Sequence, residues 1–213
     1  MRGNLKLLRV LSVFCIILFS LLASANASIV TFQFAGNVTQ VPIDEAFGDI
    51  DFGDAIQGSF SFDTTAADLI PGDPTTGSYN FASPLGMNVS IGLHDFDAHG
   101  SLNIGIVNSF VDQFTVLATN ADQSLTLELF LQDSTGGVFA NDHLPSTVQQ
   151  LAAFQQRDFH LNAIFAAGEV QVDGQLTAVS AVATPEPTSQ GPMLAAFLFL
   201  ALALRRRLLQ ATN

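Results

Sequence analysis

Cysteine, tryptophan and tyrosine are scarce in this sequence of 213 residues, which has one cysteine, one tyrosine and no tryptophan. Cys15 lies inside an apolar N-terminal run, so a chain that has lost this run has no thiol. A disulfide framework, a cysteine-ligated metal and a cysteine nucleophile are therefore excluded from the rest of the chain. The shortage of Trp and Tyr also argues against an aromatic sugar-stacking platform.

Basic residues are almost as scarce. Six of the seven Lys and Arg residues lie close to the two ends of the chain, and every Asp and Glu lies between them. Removing those six positive charges from the net charge of −12 leaves −18 on the remainder, where Arg157 is the only strong cation. Such a surface cannot neutralise phosphates, so nucleic acid is excluded as a partner. The acidity predicts colloidal repulsion and solubility, with loose binding of divalent cations as the alternative.

The first 27 residues are typical of a secretory signal peptide. Arg2, Lys6 and Arg9 precede the apolar residues 10–23, and Ala25 and Ala27 form a small-x-small cleavage pattern. We therefore expect the mature chain to begin near residue 28. The alternative is an uncleaved anchor helix.

The C-terminal end has three parts in a fixed order. A Pro-rich linker over residues 184–192 is followed by the apolar residues 193–204 and then by a basic cluster. As a helix the apolar run is about 18 Å long, shorter than a hydrocarbon core of about 30 Å. The basic cluster favours the cytoplasmic side, which would leave the domain outside and transiently tethered. The alternative is a core helix of the domain. The residues of the linker motif and the cluster are Pro185, Glu186, Pro187, Arg205, Arg206 and Arg207.

This Pro-Glu-Pro motif, apolar run and arginine cluster, placed behind a signal peptide, resemble the PEP-CTERM sorting signal of Gram-negative bacteria. The resemblance covers residues 184–207 only. It implies export through the inner membrane, transient membrane contact through residues 193–204, and recognition by an exosortase-like processing enzyme. It also implies a place at the cell surface or in the extracellular matrix, in association with extracellular polysaccharide.

Between the two ends, apolar and polar residues alternate with a period of two. Phe60 and Phe62 alternate with serines, and a run from Leu125 to Leu131 places leucine at every second position. Turn-forming segments separate these runs, at residues 63–64, 71–74, 120–122 and 133–137. The pattern predicts a mainly β domain, an antiparallel β-sandwich or jelly roll. The expected division is signal peptide 1–27, domain 28–183, linker 184–192, hydrophobic segment with arginines 193–207, and tail 208–213.

Two finer predictions concern local structure. Residues 58–62 and 77–81 share a Gly-Ser-aromatic pattern, which predicts a hairpin with its aromatic residues on one face. One short helix is expected over residues 147–156, with Ser146 as its N-cap and Gln149 completing a capping box. Leu151 and Phe154 would form part of its apolar stripe.

The densest polar cluster is a candidate metal site formed by His94, Asp95, Asp97 and His99. Imidazole and carboxylate groups are ligands for zinc and other divalent ions. In an extended strand Asp95, Asp97 and His99 share one face, whereas His94 points to the other. A polar hairpin rim is the alternative.

A second candidate, for calcium, is formed by Asp49, Asp51 and Asp54. Their spacing is that of half a calcium-binding loop, without the later Glu that completes an EF-hand. Solvated turn acids are the alternative.

The sequence contains no Gly-x-Ser-x-Gly nucleophile motif and no glycine-rich phosphate loop. We therefore predict no enzyme activity and no cofactor other than calcium. The favoured hypothesis is an exported structural or adhesive protein. The alternatives are a secreted hydrolase of matrix polymers, acting near residues 94–99, and a calcium-dependent binding module.

Overall fold

The computed structural model describes residues 29–41, 49–165 and 168–182, all within the unit Met1–Val182. The predicted signal peptide, Pro185, Glu186, Pro187 and the arginines at 205–207 lie outside the described residues, as does the apolar run between them. No helix in the described ranges is long and apolar enough to cross a membrane.

The described residues form ten strands and one short helix. The strands are β1 (Ile29–Gln40), β2 (Ala55–Asp63), β3 (Thr76–Ala82), β4 (Met87–Ile91), β5 (His94–Ala98), β6 (Ser101–Asn108), β7 (Asp112–Thr119), β8 (Leu125–Asp133), β9 (Gln156–Phe165) and β10 (Gly168–Val182). The helix, α1 (Val148–Ala152), lies between β8 and β9. The domain is therefore mainly β, as the alternation predicts.

All ten strands belong to one antiparallel sheet in the order β3-β6-β7-β8-β9-β10-β1-β2-β4-β5. Neighbours from β6 to β10 follow chain order, because short turns join most of them. The pairing of β1 with β10 instead brings together the first and last described strands. This pairing joins the two halves of the sheet, which are β3 with β6–β10 and β1 with β2, β4 and β5.

The sheet curls, so that its two halves face each other across the apolar core. Phe60 of β2 lies 6.2 Å from Phe114 of β7, measured between ring centroids, although four strands lie between β2 and β7 in the sheet. Phe62 of β2 similarly lies 6.0 Å from Phe81 of the edge strand β3. Burial of these rings on one face explains the curl, because aromatic side chains contribute a large part of the apolar area removed from water.

Period-two alternation identifies the core face correctly on most strands. Phe60 and Phe62 are buried on β2, and Leu127, Leu129 and Leu131 are buried on β8. The outward positions between them are at least partly exposed. The alternation ends where a strand ends: Leu93 lies in the turn after β4 and is 93% exposed.

The predicted hairpin of residues 58–62 with 77–81 is wrong. The two segments form β2 and β3, but β2 pairs with β1 and β4, whereas β3 pairs with β6. The repeated pattern reflects similar burial, since both strands direct aromatic rings into the same core from opposite halves of the sheet. A shared burial pattern does not specify a hydrogen-bonding partner.

The predicted helix is shorter than expected, and its predicted cap is wrong. Helix α1 has Thr147 as its N-cap, with no side-chain capping hydrogen bond, so the N-cap is not the predicted Ser146. The chain leaves the helix early because β9 begins at Gln156 and pairs with β8. Leu151 and Phe154 are both fully buried, although Phe154 lies beyond the end of the helix.

Arg157 connects the end of α1 to the sheet. Its guanidinium donates to the backbone oxygens of Ala152 (2.7 Å), Phe154 (2.8 Å) and Thr177 (3.3 Å). The carbonyls of Ala152 and Phe154 lie at the end of α1, where backbone acceptors lack intrahelical partners, and that of Thr177 belongs to β10. The only strong cation of the described residues is therefore used to satisfy backbone groups.

Four turns are built on the same local hydrogen bond, from a Thr or Ser to the Asp two residues earlier. The pairs are Asp63 with Thr65, Asp73 with Thr75, Asp122 with Ser124, and Asp133 with Thr135. Hydrogen bonds lower the pKa of all four carboxyls, chiefly from the backbone amide at Asp63 and from the hydroxyl at the other three. The turns therefore favour ionised aspartates.

Candidate functional site

A polar groove of about 570 Å³ lies on the face of the sheet opposite the core, across β10, β1, β2, β4 and β5. Two adjacent rows of cross-strand neighbours line it. The first row is Ser180, Gln33, Ser59, Asn88 and Asp97. The second row is Ala178, Ala35, Gln57, Ser90 and Asp95. We call these ten residues and the space between them the polar groove.

Side-chain size explains why this part of the sheet is hollow. Ala35, Ala178, Ser59 and Ser180 are short, so the sheet surface lies open above the backbone of β1, β2 and β10. Longer side chains project around them, because side chains stand nearly perpendicular to a sheet. The groove therefore has a low floor and a polar border.

Gly58 lies beneath this floor. On the core side of β2, an added Cβ at position 58 would collide with the ring of Phe34 and lie 2.7 Å from the backbone oxygen of Asn88. The missing side chain lets the Phe34 ring pack directly below the groove. Phe34 is almost fully buried there, with its ring centroid 6.0 Å from that of Phe159.

The two aspartates at one end of the groove are held by neutral donors. The hydroxyl of Ser90 donates to Oδ1 of Asp95 at 2.6 Å. Asn88, oriented so that its amide nitrogen faces Asp97, donates to Oδ1 of Asp97 at 3.2 Å. Within the described residues, no hydrogen bond uses the Oδ2 atom of either aspartate, so both remain available as acceptors.

His99 fixes the orientation of Asn88. Its Nδ1 lies 2.9 Å from the carbonyl oxygen of Pro84, which can only accept, so Nδ1 carries the proton. With Nδ1 as the donor, Nε2 can serve as the acceptor for Asn88, whose amide nitrogen faces it. This explains why Asn88 presents its amide nitrogen to both His99 and Asp97. His99 therefore acts on the groove through Asn88.

The four predicted metal ligands are divided between two faces of β5 and its turn. Asp95 and Asp97 line the groove, whereas Nε2 of His94 pairs with Oδ1 of Asp49 at 2.6 Å. The hydrogen bond from His94 lowers the pKa of the Asp49 carboxyl. His94 also packs against Phe96, with ring centroids 6.1 Å apart.

The predicted calcium ligands are separated in the same way. Asp49 is paired with His94, whereas Asp54 accepts a hydrogen bond from the backbone amide of Asp51 at 2.8 Å and closes a turn. Across residues 29–41, 49–165 and 168–182, no three His, Cys, Asp or Glu side chains are grouped so as to hold a metal ion. Both metal hypotheses stay predictions.

A second polar depression, of about 330 Å³, lies over β8, β9 and β10. It is lined by Thr126, Glu128, His160, Asn162 and Gln171, which we call the His160 patch. Nδ1 of His160 lies 2.7 Å from Oδ1 of Asp173, which also accepts from Gln171 at 2.8 Å. Glu128 is the direct cross-strand neighbour of His160. An imidazole oriented by a carboxylate is the arrangement of many general bases.

Sequence reasoning missed eight of the ten groove residues. Each strand shows its own part as polar residues at alternate positions, such as Gln57 and Ser59 or Asn88 and Ser90. The register between strands is what joins them, and Gln33 and Ser180 become neighbours only when β1 pairs with β10. A polar face repeated on several strands is the signal that could have marked the groove.

Comparison with known proteins finds no matching family model, no similar curated protein and no similar solved structure. The groove and the His160 patch are therefore interpreted from their own chemistry.

Proposed function

We propose that this chain is an exported, non-catalytic protein of the bacterial cell surface or extracellular matrix, and that its β domain binds extracellular polysaccharide in the polar groove. We interpret the curled sheet as a β-sandwich, with the groove on the outer face of one half. The role is adhesive or structural: the domain attaches to matrix polymer and carries out no reaction on it.

The observation that supports this proposal is the composition and layout of the groove. Gln, Asn and Ser side chains both donate and accept hydrogen bonds, as sugar hydroxyls do. The described residues place these groups on paired strands, which hold them at fixed spacings and reduce the ordering that binding requires. An open groove crossing five strands fits an extended polymer better than an enclosed small molecule.

Delivery to the matrix is the part of the proposal that depends on the two ends of the chain. The signal peptide directs export through the inner membrane of a Gram-negative bacterium, and residues 193–204 hold the chain in that membrane until processing. An exosortase-like enzyme then recognises Pro185, Glu186 and Pro187 and releases the domain. Mass spectrometry of the exported protein tests this step, since retention of Arg205 and the residues after it would contradict it.

Blocking the groove tests the binding step. Replacing Ala178 by Trp places a large side chain on the groove floor at an exposed position of β10, and matrix binding by the exported chain should fall by about tenfold or more. The matched control is Thr115→Trp, on the outer face of β7 and away from the groove. Binding is measured by co-sedimentation with isolated matrix polysaccharide. Equal binding by both variants would mean that the polymer does not bind in the groove.

A secreted hydrolase is the second candidate, and the His160 patch is the observation that favours it. His160 is oriented by Asp173, and Glu128 supplies a nearby carboxylate. Release of reducing ends from matrix polysaccharide by the exported protein, abolished in His160→Gln, would establish hydrolysis. Absence of reducing ends together with retained binding would support the adhesive role.

A further inference from the structure

We infer that the polar groove selects polysaccharides that carry free amines, that is, cationic amino-sugar polymers, over neutral and acidic ones. This inference rests on the proposed function and specifies its ligand class. Asp95 and Asp97 are the residues that would recognise the amines, and the Gln, Asn and Ser side chains would bind the sugar hydroxyls.

The two aspartates occupy successive outward positions of β5, the last strand of the sheet. A rise of about 3.4 Å per residue places such positions roughly 7 Å apart along the strand. Both are exposed, and each uses Oδ1 for a neutral donor from β4, Ser90 in one case and Asn88 in the other. A protonated amine bound at Oδ2 would form a charge-assisted hydrogen bond, which is stronger than one between neutral groups.

No positive side chain in the described residues competes for these carboxylates. Arg157 is the only Lys or Arg in those residues, and its guanidinium binds backbone carbonyls beside α1. Of the two imidazoles beside β5, His94 is paired with Asp49, and His99 contacts Pro84 and Asn88. Within the described ranges, no Lys or Arg therefore balances the charges of the two groove aspartates, and a cationic ligand would supply that balance.

The charge of the whole domain acts in the same direction. Residues 28–183 contain one Arg, no Lys and 18 acidic residues, so the field around the groove is negative. A polyuronate would be repelled before contact, whereas a cationic polymer would be attracted and its association accelerated. Screening by salt should weaken this preference, because the charges lie at the surface.

The uncharged part of the groove limits how much of the binding affinity the amines can contribute. Ser180, Gln33 and Ser59 form the half of the first row farther from β5, and none of them carries a charge. Sugar units over this half would be bound through hydroxyls alone. We therefore expect the preference for amines to arise at the β5 end and the remaining affinity to be shared by all polymers.

The test compares four polymers of matched length: a soluble glucosamine polymer with free amines, its fully N-acetylated form, a neutral glucan and a polyuronate. Binding by the exported, full-length protein is measured by co-sedimentation or calorimetry. The amine polymer should bind about tenfold more tightly than its N-acetylated form, and the ratio should fall as salt is added. This ranking requires no variant, so it tests the inference even if a variant fails to fold.

The matched variants then locate the effect. Asp95→Asn with Asp97→Asn should remove most of the advantage of the amine polymer over the N-acetylated form without weakening binding of the latter. Asp122→Asn with Asp158→Asn removes the same number of charges outside both the groove and the His160 patch, and should leave the ratio unchanged.

The outcomes separate the inference from the proposed function. Equal or tighter binding of the neutral or N-acetylated polymer would overturn the amine preference and leave polysaccharide binding intact. Amine-polymer binding that requires calcium and is lost with a chelator would also overturn it, because the carboxylates would then act through a metal. No binding of any polymer would overturn both.

Discussion

The polar groove and the His160 patch lie on the same outer face of one sheet and share β10, yet they are built differently. The groove aspartates accept from a serine hydroxyl and an asparagine amide, whereas Asp173 in the second region accepts from His160 and Gln171. Asp173 is therefore engaged by a charged or chargeable partner within the protein. The groove carboxylates have no such partner among the described residues.

Polar residues on a sheet surface can therefore serve in two ways, by pairing with each other or by binding a ligand. Internal pairing on the His160 patch satisfies side chains that would otherwise interact with solvent, and such pairs at a surface contribute little to stability. Partially satisfied acceptors in a hollow are suited to binding, since the ligand supplies the missing donor. The groove is therefore the better candidate site, although the His160 patch has the residue types usually associated with catalysis.

The largest expected effect comes from the floor of the groove. Gly58→Ala adds a Cβ that collides with the Phe34 ring, and overpacking of this kind costs about 1–3 kcal/mol of unfolding free energy. Gly105→Ala is the matched control, because an added Cβ at that position on β6 has no atom within 4 Å. Urea unfolding measures both variants. Equal stability of the two would mean that the groove floor is not tightly packed.

A smaller loss is expected on the other half of the sheet. Arg157→Lys retains the charge but cannot reach three backbone carbonyls, so the free energy of unfolding should fall by about 1–2 kcal/mol. Calorimetry or urea unfolding measures the change. A variant as stable as the original chain would show that water satisfies these carbonyls equally well. Polysaccharide binding should be unchanged, because Arg157 does not line the groove.

The acid stability of both halves depends on the four aspartate turns. Each of these carboxyls has a pKa lowered from its ordinary value of 3.8. A lowered folded-state pKa contributes stability that is fully present above the unfolded value and lost as pH falls through the folded one. The melting temperature should therefore decline below about pH 4. Asp133→Asn, at the end of β8, and Asp63→Asn, at the end of β2, should each make the melting temperature fall less steeply as the pH is lowered.

The smallest effect is expected at the His160 patch. His160→Gln keeps a donor for Asp173 at a partly exposed position, so the loss of stability should stay below about 1 kcal/mol. Polysaccharide binding should not change. A marked loss of binding in this variant, with the fold intact by circular dichroism, would place the ligand on the His160 patch and reverse the comparison.

Much of the fold could be predicted from the sequence because the evidence for it is local. Alternation at Phe60 and Phe62 identifies the buried face, and the turn at Asp133 follows from its own side-chain chemistry. The failures concern interactions between segments. The capping box at Ser146 matched a local pattern, but the pairing of β9 with β8 shortened the helix.

The candidate site was predictable only in part. Asp95 and Asp97 were expected on one face of a strand, and the structure places both in the groove. Their link to Gln33 and Ser180 depends on strand order, which alternation does not contain. The metal and calcium hypotheses, and the roles of both chain ends, stay predictions.

The sequence by itself determined which side chains of each strand face the core, where the chain turns, and how negative the domain is. These properties follow from the period of an extended backbone, from short-range hydrogen bonds and from composition. Only the tertiary structure decided which strands are neighbours, because any apolar strand face can contribute to the same core. The groove exists because β10, β1, β2, β4 and β5 lie side by side, and that arrangement was set by packing Phe34, Phe60 and Phe62 against the opposite half of the sheet.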